Sequence, residues 1–232
     1  MNEKNIKMAI FVWIMVLISG SGTAMGQSKQ TEEPQQNQVQ VDEDVLDEFM
    51  DEPIQQFHSA RESFLKRDVK TAASEIRKGA AFLKLEAGRA EGDTKKALLV
   101  AIKKLEELAN KVENGTVSSA KEMDEVFAHA HQALAEHHYV KASESWTKKA
   151  ITKTGRYLKA AAVHLENAMA WSGQKVEQGT ASITKEAHSL GDKMVKGAGW
   201  VRDQAVSGLK NLGEEIKKLG HKIKPEKKET TS

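Results

Sequence analysis

The chain of 232 residues contains no cysteine. That excludes a lipid-modified cysteine, a c-type haem attachment and any thiolate metal site, and it removes the disulfides on which small exported domains often rely. Proline is nearly as scarce: Pro34, Pro53 and Pro225 all lie near the ends. The long interior therefore carries no residue that lacks a backbone donor, so nothing there forces a helix to break. Aromatic residues are too few to stack successive bases, which argues against nucleic acid as a partner. No P-loop, dinucleotide glycine pattern or zincin motif occurs. The expectation is a protein that is not an enzyme and takes no cofactor through a recognisable motif.

Long apolar runs are missing too, apart from MAIFVWIMVLI, the eleven residues from Met8 to Ile18. That is short of the roughly 20 residues a membrane span needs. Lys4 and Lys7 precede it and the small residues of SGSGTAMG follow it, the three parts of an export signal. Residues 1–26 are read as a cleaved signal peptide, which places the mature protein in the periplasm or outside a bacterial cell. Between Gln27 and Gln56 nine acidic residues face the single Lys29, whereas 32 basic and 23 acidic residues follow from Phe57 onward. The acidic, Gln-rich stretch 27–52 buries too little apolar surface to offset ordering and is expected to be a disordered linker, as is the tail 225–232.

What the chain has in abundance is apolar residues spaced by three and four. Val69, Ala73, Ile76, Ala80, Leu83 and Ala87 form one stripe, as do Leu98, Ala101, Leu105, Leu108 and Val112. Met123, Phe127, Ala130 and Leu134 form another, and Tyr157, Ala161, Leu165 and Ala168 a fourth. No window alternates with period two. The fold class is all-α: an elongated helical bundle, with boundaries at Pro53, Asp68, Gly92 and Gly115 set by caps and helix-ending glycines.

Two internal matches suggest duplication. KVENGTVSSAKE from Lys111 lies over KVEQGTASITKE from Lys175, and the segment from Phe57 lies over that from Phe127. Together they divide residues 53–190 into copies at about 57–122 and 127–187, each a short helix, a turn at Asp68 or His138, and a long helix. The second long helix should run from about Tyr139 to Ser172. Beyond it, 191–224 reads as a glycine-interrupted amphipathic helix whose Trp200, Leu209, Leu212, Ile216, Leu219 and Ile223 are candidates for contact with an anionic lipid surface.

The one dense group of coordinating side chains is HAHQALAEHH. It holds His129, His131, His137 and His138, which a facing residue such as His164 would have to complete, since two ligands two turns apart on one helix cannot hold an ion alone. Imidazole at this density points to metal or haem; no Glu-x-x-His pair accompanies it, which disfavours a di-iron carboxylate bundle. These histidines are named as candidates only. Ser-x-x-Lys occurs six times in this lysine-rich chain, and Ser145–Lys148 stands too close to Lys153-Thr154-Gly155 for a penicillin-recognising site.

The spacing Ala60-x3-Phe64-x3-Asp68-x3-Ala72, echoed by Ala130-x3-Leu134-x3-His138-x3-Ala142, resembles tetratricopeptide-like helix pairs and the exported all-helical YfdX family. The resemblance implies a periplasmic protein with a stress-related or chaperone-like role. From the residues alone, the leading expectation is a non-enzymatic binding or scaffolding protein of the cell envelope that meets protein partners or itself through helix faces. A metal or haem carrier and a membrane-surface protein are the alternatives.

Overall fold

Every helix in the computed structural model begins or ends where a local signal stops it. The structure describes residues 49–174 and 177–223, and the expected leader, most of the acidic linker and the C-terminal tail lie outside them. Seven α-helices follow one another: α1 Glu52–Leu65, α2 Val69–Gly88, α3 Gly92–Glu113, α4 Ala120–Thr147, α5 Ile151–Trp171, α6 Gln178–Val195 and α7 Arg202–Ile223. No strand occurs among the described residues. Pro53 sits in the first turn of α1, where its missing donor is harmless. Asp68 caps α2 by accepting from the Thr71 N–H at 3.1 Å. At the start of α4 the Glu122 carboxylate accepts from the Ser118 N–H at 3.4 Å.

The helix ends reveal a repeat. Four helices close with the same pair of backbone hydrogen bonds, a Schellman motif around a residue of positive φ. At the end of α1, Arg67 (φ 64°) is that residue; at the end of α4, Lys149 (φ 59°). There Asp68 N–H donates to Ser63 O, and Ala150 N–H to Ser145 O, both at 2.9 Å. Helices α3 and α6 close in the same way on Gly115 (φ 66°) and Gly197 (φ 73°). Both equivalences have an offset of 82 residues (67 to 149, 115 to 197). At that offset ARESFLKRDV from Ala60 lies over ASESWTKKAI from Ala142, and the buried Ile76, Ala80 and Leu83 lie over Leu158, Ala162 and Leu165. Surface pairs follow too. Arg77 bonds Asn110 where Lys159 bonds Asp192, and Lys84–Glu106 becomes Glu166–His188 with the carboxylate on the other helix.

This register replaces the copies read at offsets of 64 and 70. Gly115 ends α3, whereas Gly179 lies in the first turn of α6, so the matching dodecapeptides occupy different structural positions. No turn forms at His138, and the helix expected over 139–172 is two helices that break at Lys148–Ala150. Helix α4 is long, 28 residues, because it joins the last helix of one unit to the first helix of the next without interruption. Likewise 191–224 is not one helix: α6 runs on to Val195, and Gly197 and Gly199 turn the chain into α7.

Each unit has its own core. Phe57, Ile76, Phe82, Leu83, Leu98, Leu105, Val112, Met123, Phe127 and Leu134 belong to the first, and Tyr157, Leu158, Leu165, Leu190, Met194, Leu212, Ile216 and Leu219 to the second. The division falls inside α4, between Leu134 and Ala135. Burying each large side chain contributes roughly 1.5–3 kcal/mol, so both units are held by ordinary apolar packing. Where α5 meets α6, the backbones touch: a Cβ on Gly155 would stand 2.7 Å from the Gly191 carbonyl.

The face of α7 that offers candidates for lipid contact is used inside the bundle. Leu209, Leu212, Ile216 and Leu219 are buried, Ile223 packs against the same core, and Trp200 meets Trp146 edge to face at 5.9 Å. Among the described residues no helix is long and apolar enough to cross a membrane.

Candidate metal centre

Where the two cores meet, the packing turns polar. Helix α4 carries His131, His137 and His138 through this seam, α5 supplies His164, and the last turn of α2 supplies Glu86. All five side chains are at most 1% exposed. Helix periodicity brings the three residues of α4 inward because α4 is surrounded: it contacts α1, α3, α5 and α7, so several of its sides face protein.

The Glu86 Oε2 lies 2.8 Å from His137 Nε2. One ligand atom each from Glu86, His137 and His138 lie within 4.8 Å of one another. His138 stacks on His164, with ring centroids 5.2 Å apart and an interplanar angle of 13°. His164 in turn shares a 3.0 Å Nδ1–Nδ1 hydrogen bond with His131. A continuous file therefore runs from Glu86 through His137, His138 and His164 to His131. Both ring nitrogens of His138, Nε2 of His131 and Oε1 of Glu86 have no hydrogen-bond partner. Buried polar atoms left unpaired cost about 1–3 kcal/mol each, so they call for an explanation beyond packing.

Burial favours the neutral form of His131, His138 and His164. Burial pushes His131 and His138 well below the ordinary 6.5, helped by repulsion from His164 in both cases and from His137, Arg89 and Lys141 for His138. Burial takes His164 down to about 4, against the partial opposition of Glu86 and the Met50 backbone. A neutral imidazole offers a lone pair, the state a metal ion requires. Imidazole nitrogen with carboxylate oxygen, and no sulfur, suits zinc, copper, nickel or iron.

The fold itself does not ask for this polarity. At the 82-residue offset His164 corresponds to Phe82, Glu86 to Ala168 and His137 to Leu219, all buried and apolar. At these three positions the repeat supplies an internal control, packed with hydrocarbon, whereas His131 and His138 correspond to Gly213 and Gly220.

Of the five histidines singled out from the sequence, the structure brings four together. His129 points elsewhere on α4, half-buried, and is held at about 4 by burial and by Lys104. Glu86 was missed, since a lone glutamate in the stripe of α2 gives no signal. Its position between Leu83 and Ala87, both buried, is the one hint available. Arg89, just past the end of α2, completes the group: its Nη2 donates to Tyr157 Oη at 2.9 Å, and its Nε lies 3.8 Å from Glu86 Oε2.

A second concavity, of about 400 Å³, lies between α4 and α7 and is lined by Tyr139, Ser143, Trp146, Leu209, Lys210 and Lys217, among others. At the equivalent place in the first unit, Phe57 stacks on Phe127 and Arg61 pairs with Asp124. Compared with known proteins, the chain matches no family model, no curated protein and no solved structure.

Proposed function

We propose that this protein binds a divalent transition-metal ion inside its helical bundle, with Glu86, His137 and His138 as ligands. The observation that carries this reading is the convergence of three fully buried donors within 4.8 Å, including an imidazole with no other hydrogen-bond partner. An ion with bonds of about 2.0–2.1 Å draws its donors closer than that, so binding requires small side-chain rotations. The reading makes the protein a carrier or store rather than an enzyme: a site buried on all sides leaves no room for a substrate. A leader of the kind described above would place it in the cell envelope, where a cysteine-free, nitrogen- and oxygen-ligated site is indifferent to thiol oxidation. The broader scaffolding role remains compatible, with the ion joining the two units at their seam.

Titration of the purified chain with zinc, nickel and copper, followed by calorimetry, tests the proposal. One equivalent should bind, and replacing His138 or Glu86 by alanine should weaken binding by at least tenfold; replacement of His129 should have no effect. Stoichiometric binding that survives loss of both His137 and His138 would overturn it.

A further inference from the structure

Independently of the metal site, we infer that the open concavity between α4 and α7 pairs with the same face of a second copy of this chain, making a two-fold dimer. The repeat shows what such a face receives. In the first unit the corresponding face of α4 takes up the second unit: Phe127 meets Trp171 edge to face at 5.4 Å, His131 shares its Nδ1 hydrogen bond with His164, and Gln132 donates to the Ile216 carbonyl at 2.8 Å. The 82-residue offset carries those three positions to Leu209, Gly213 and Glu214 on α7, and no further unit follows α7 in the described chain. Ala128 and Ala135, buried in the first unit, become the exposed Lys210 and Lys217.

Solvent alone does not account for this surface. A terminal unit capped against water exchanges apolar groups for charged ones. At the rim the exchange runs the other way: the Arg61–Asp124 ion pair of the first unit gives way to Ser143 and Val206, and Val206 is 48% exposed. Half-buried Tyr139 and Trp146 stand with it in the wall of the hollow of about 400 Å³.

The charges select a second copy as the occupant. Lys210, Glu214 and Lys217 make no ion pair among the described residues, while their neighbours Lys218 and Lys222 pair with Glu215 and Glu177. Cation, anion and cation follow one another at helical spacing along one side of α7. Where two such helices run antiparallel about a two-fold axis, each Glu214 stands opposite a lysine of the other copy. The rim is thus complementary to itself, as an isologous interface requires. The side of the first unit that a head-to-tail array would use is already taken: Phe49, which the offset places at His131, packs against the first core.

Sedimentation velocity of the purified chain, kept metal-free with a chelator, tests the inference. The unaltered chain should sediment as a dimer at micromolar concentration. Val206→Asp, which installs the residue that the first unit carries at Asp124, should raise the dissociation constant at least tenfold, and Glu214→Lys should do the same. Reversing all three charges together, with Lys210→Glu, Glu214→Lys and Lys217→Glu, should restore the dimer, which damage to the fold would not do. All four side chains are exposed, so the variants keep the helical circular dichroism of the unaltered chain. A chain that stays monomeric at every concentration, or whose face takes a different protein or a small ligand instead of a second copy, would overturn the inference. So would a dimer indifferent to both Val206→Asp and Glu214→Lys.

Discussion

Imidazoles buried in a row have a cost that depends on pH, and that dependence is measurable residue by residue. His164 titrates near 4 in the folded chain against 6.5 when exposed, chiefly because burial disfavours its charged form. Between those values the unfolded chain binds more protons than the folded one, so stability falls as pH drops from about 6.5 to about 4 and is fully present above 6.5. For His164 alone this amounts to a few kcal/mol, and His131 and His138 act in the same direction. The urea midpoint of metal-free protein should therefore decrease steeply between pH 6.5 and 4.5. His164→Phe, which installs the residue that the first unit carries at Phe82, should flatten that slope; an unchanged slope would show that these histidines do not titrate as buried groups. At this scale the sequence was a good guide to the histidines of α4, which announce themselves by density. It was silent on Glu86, because its meaning lies in a contact between α2 and α4 some 50 residues apart in the chain.

Helices and their ends are where sequence reading both succeeded and slipped. The three-four spacing identified the helical segments, and Pro53, Asp68 and Gly115 marked their limits correctly, since each acts through local backbone chemistry. The break at Lys148–Ala150 escaped because the left-handed position is held by Lys149, not by glycine, and a lysine reads as helix. Arg67 hides the same turn in the first unit, although Asp68 betrays it. A non-glycine residue in that conformation is strained by roughly 1 kcal/mol. Lys149→Gly should consequently stabilise the protein by up to about 1 kcal/mol in chemical denaturation, whereas Lys148→Gly, at φ −79°, should destabilise it. Equal effects at the two positions would contradict the turn as described. The same disguised turn concealed the repeat: a register anchored on similar-looking helix starts gave 64 and 70, while the true 82 is anchored on helix ends.

At the scale of the molecule, two copies of one unit share α4, and each buries its own apolar core. Fusing the units through an unbroken helix creates a seam that neither core fills. That seam is where the histidines, Glu86 and Arg89 gather, in a place without counterpart elsewhere in the described chain. The all-α class was legible from periodicity alone, because amphipathic stripes depend on spacing and not on partners. The seam was not, since it exists only once the two units are docked. The apolar face of α7 shows the same limit from the other side: its sequence admits a lipid surface as well as a bundle, with Asp203, Glu214 and Glu215 diluting the basic face, and the bundle takes it.

The central claim, an ion held at the seam, is tested most directly by anomalous diffraction at the zinc edge from crystals grown with one equivalent of zinc. The account predicts a single strong peak about 2.0–2.2 Å from a carboxylate oxygen of Glu86 and from ring nitrogens of His137 and His138. A zinc peak confined to surface histidines such as His188 or His221, with none between α2 and α4, would contradict it.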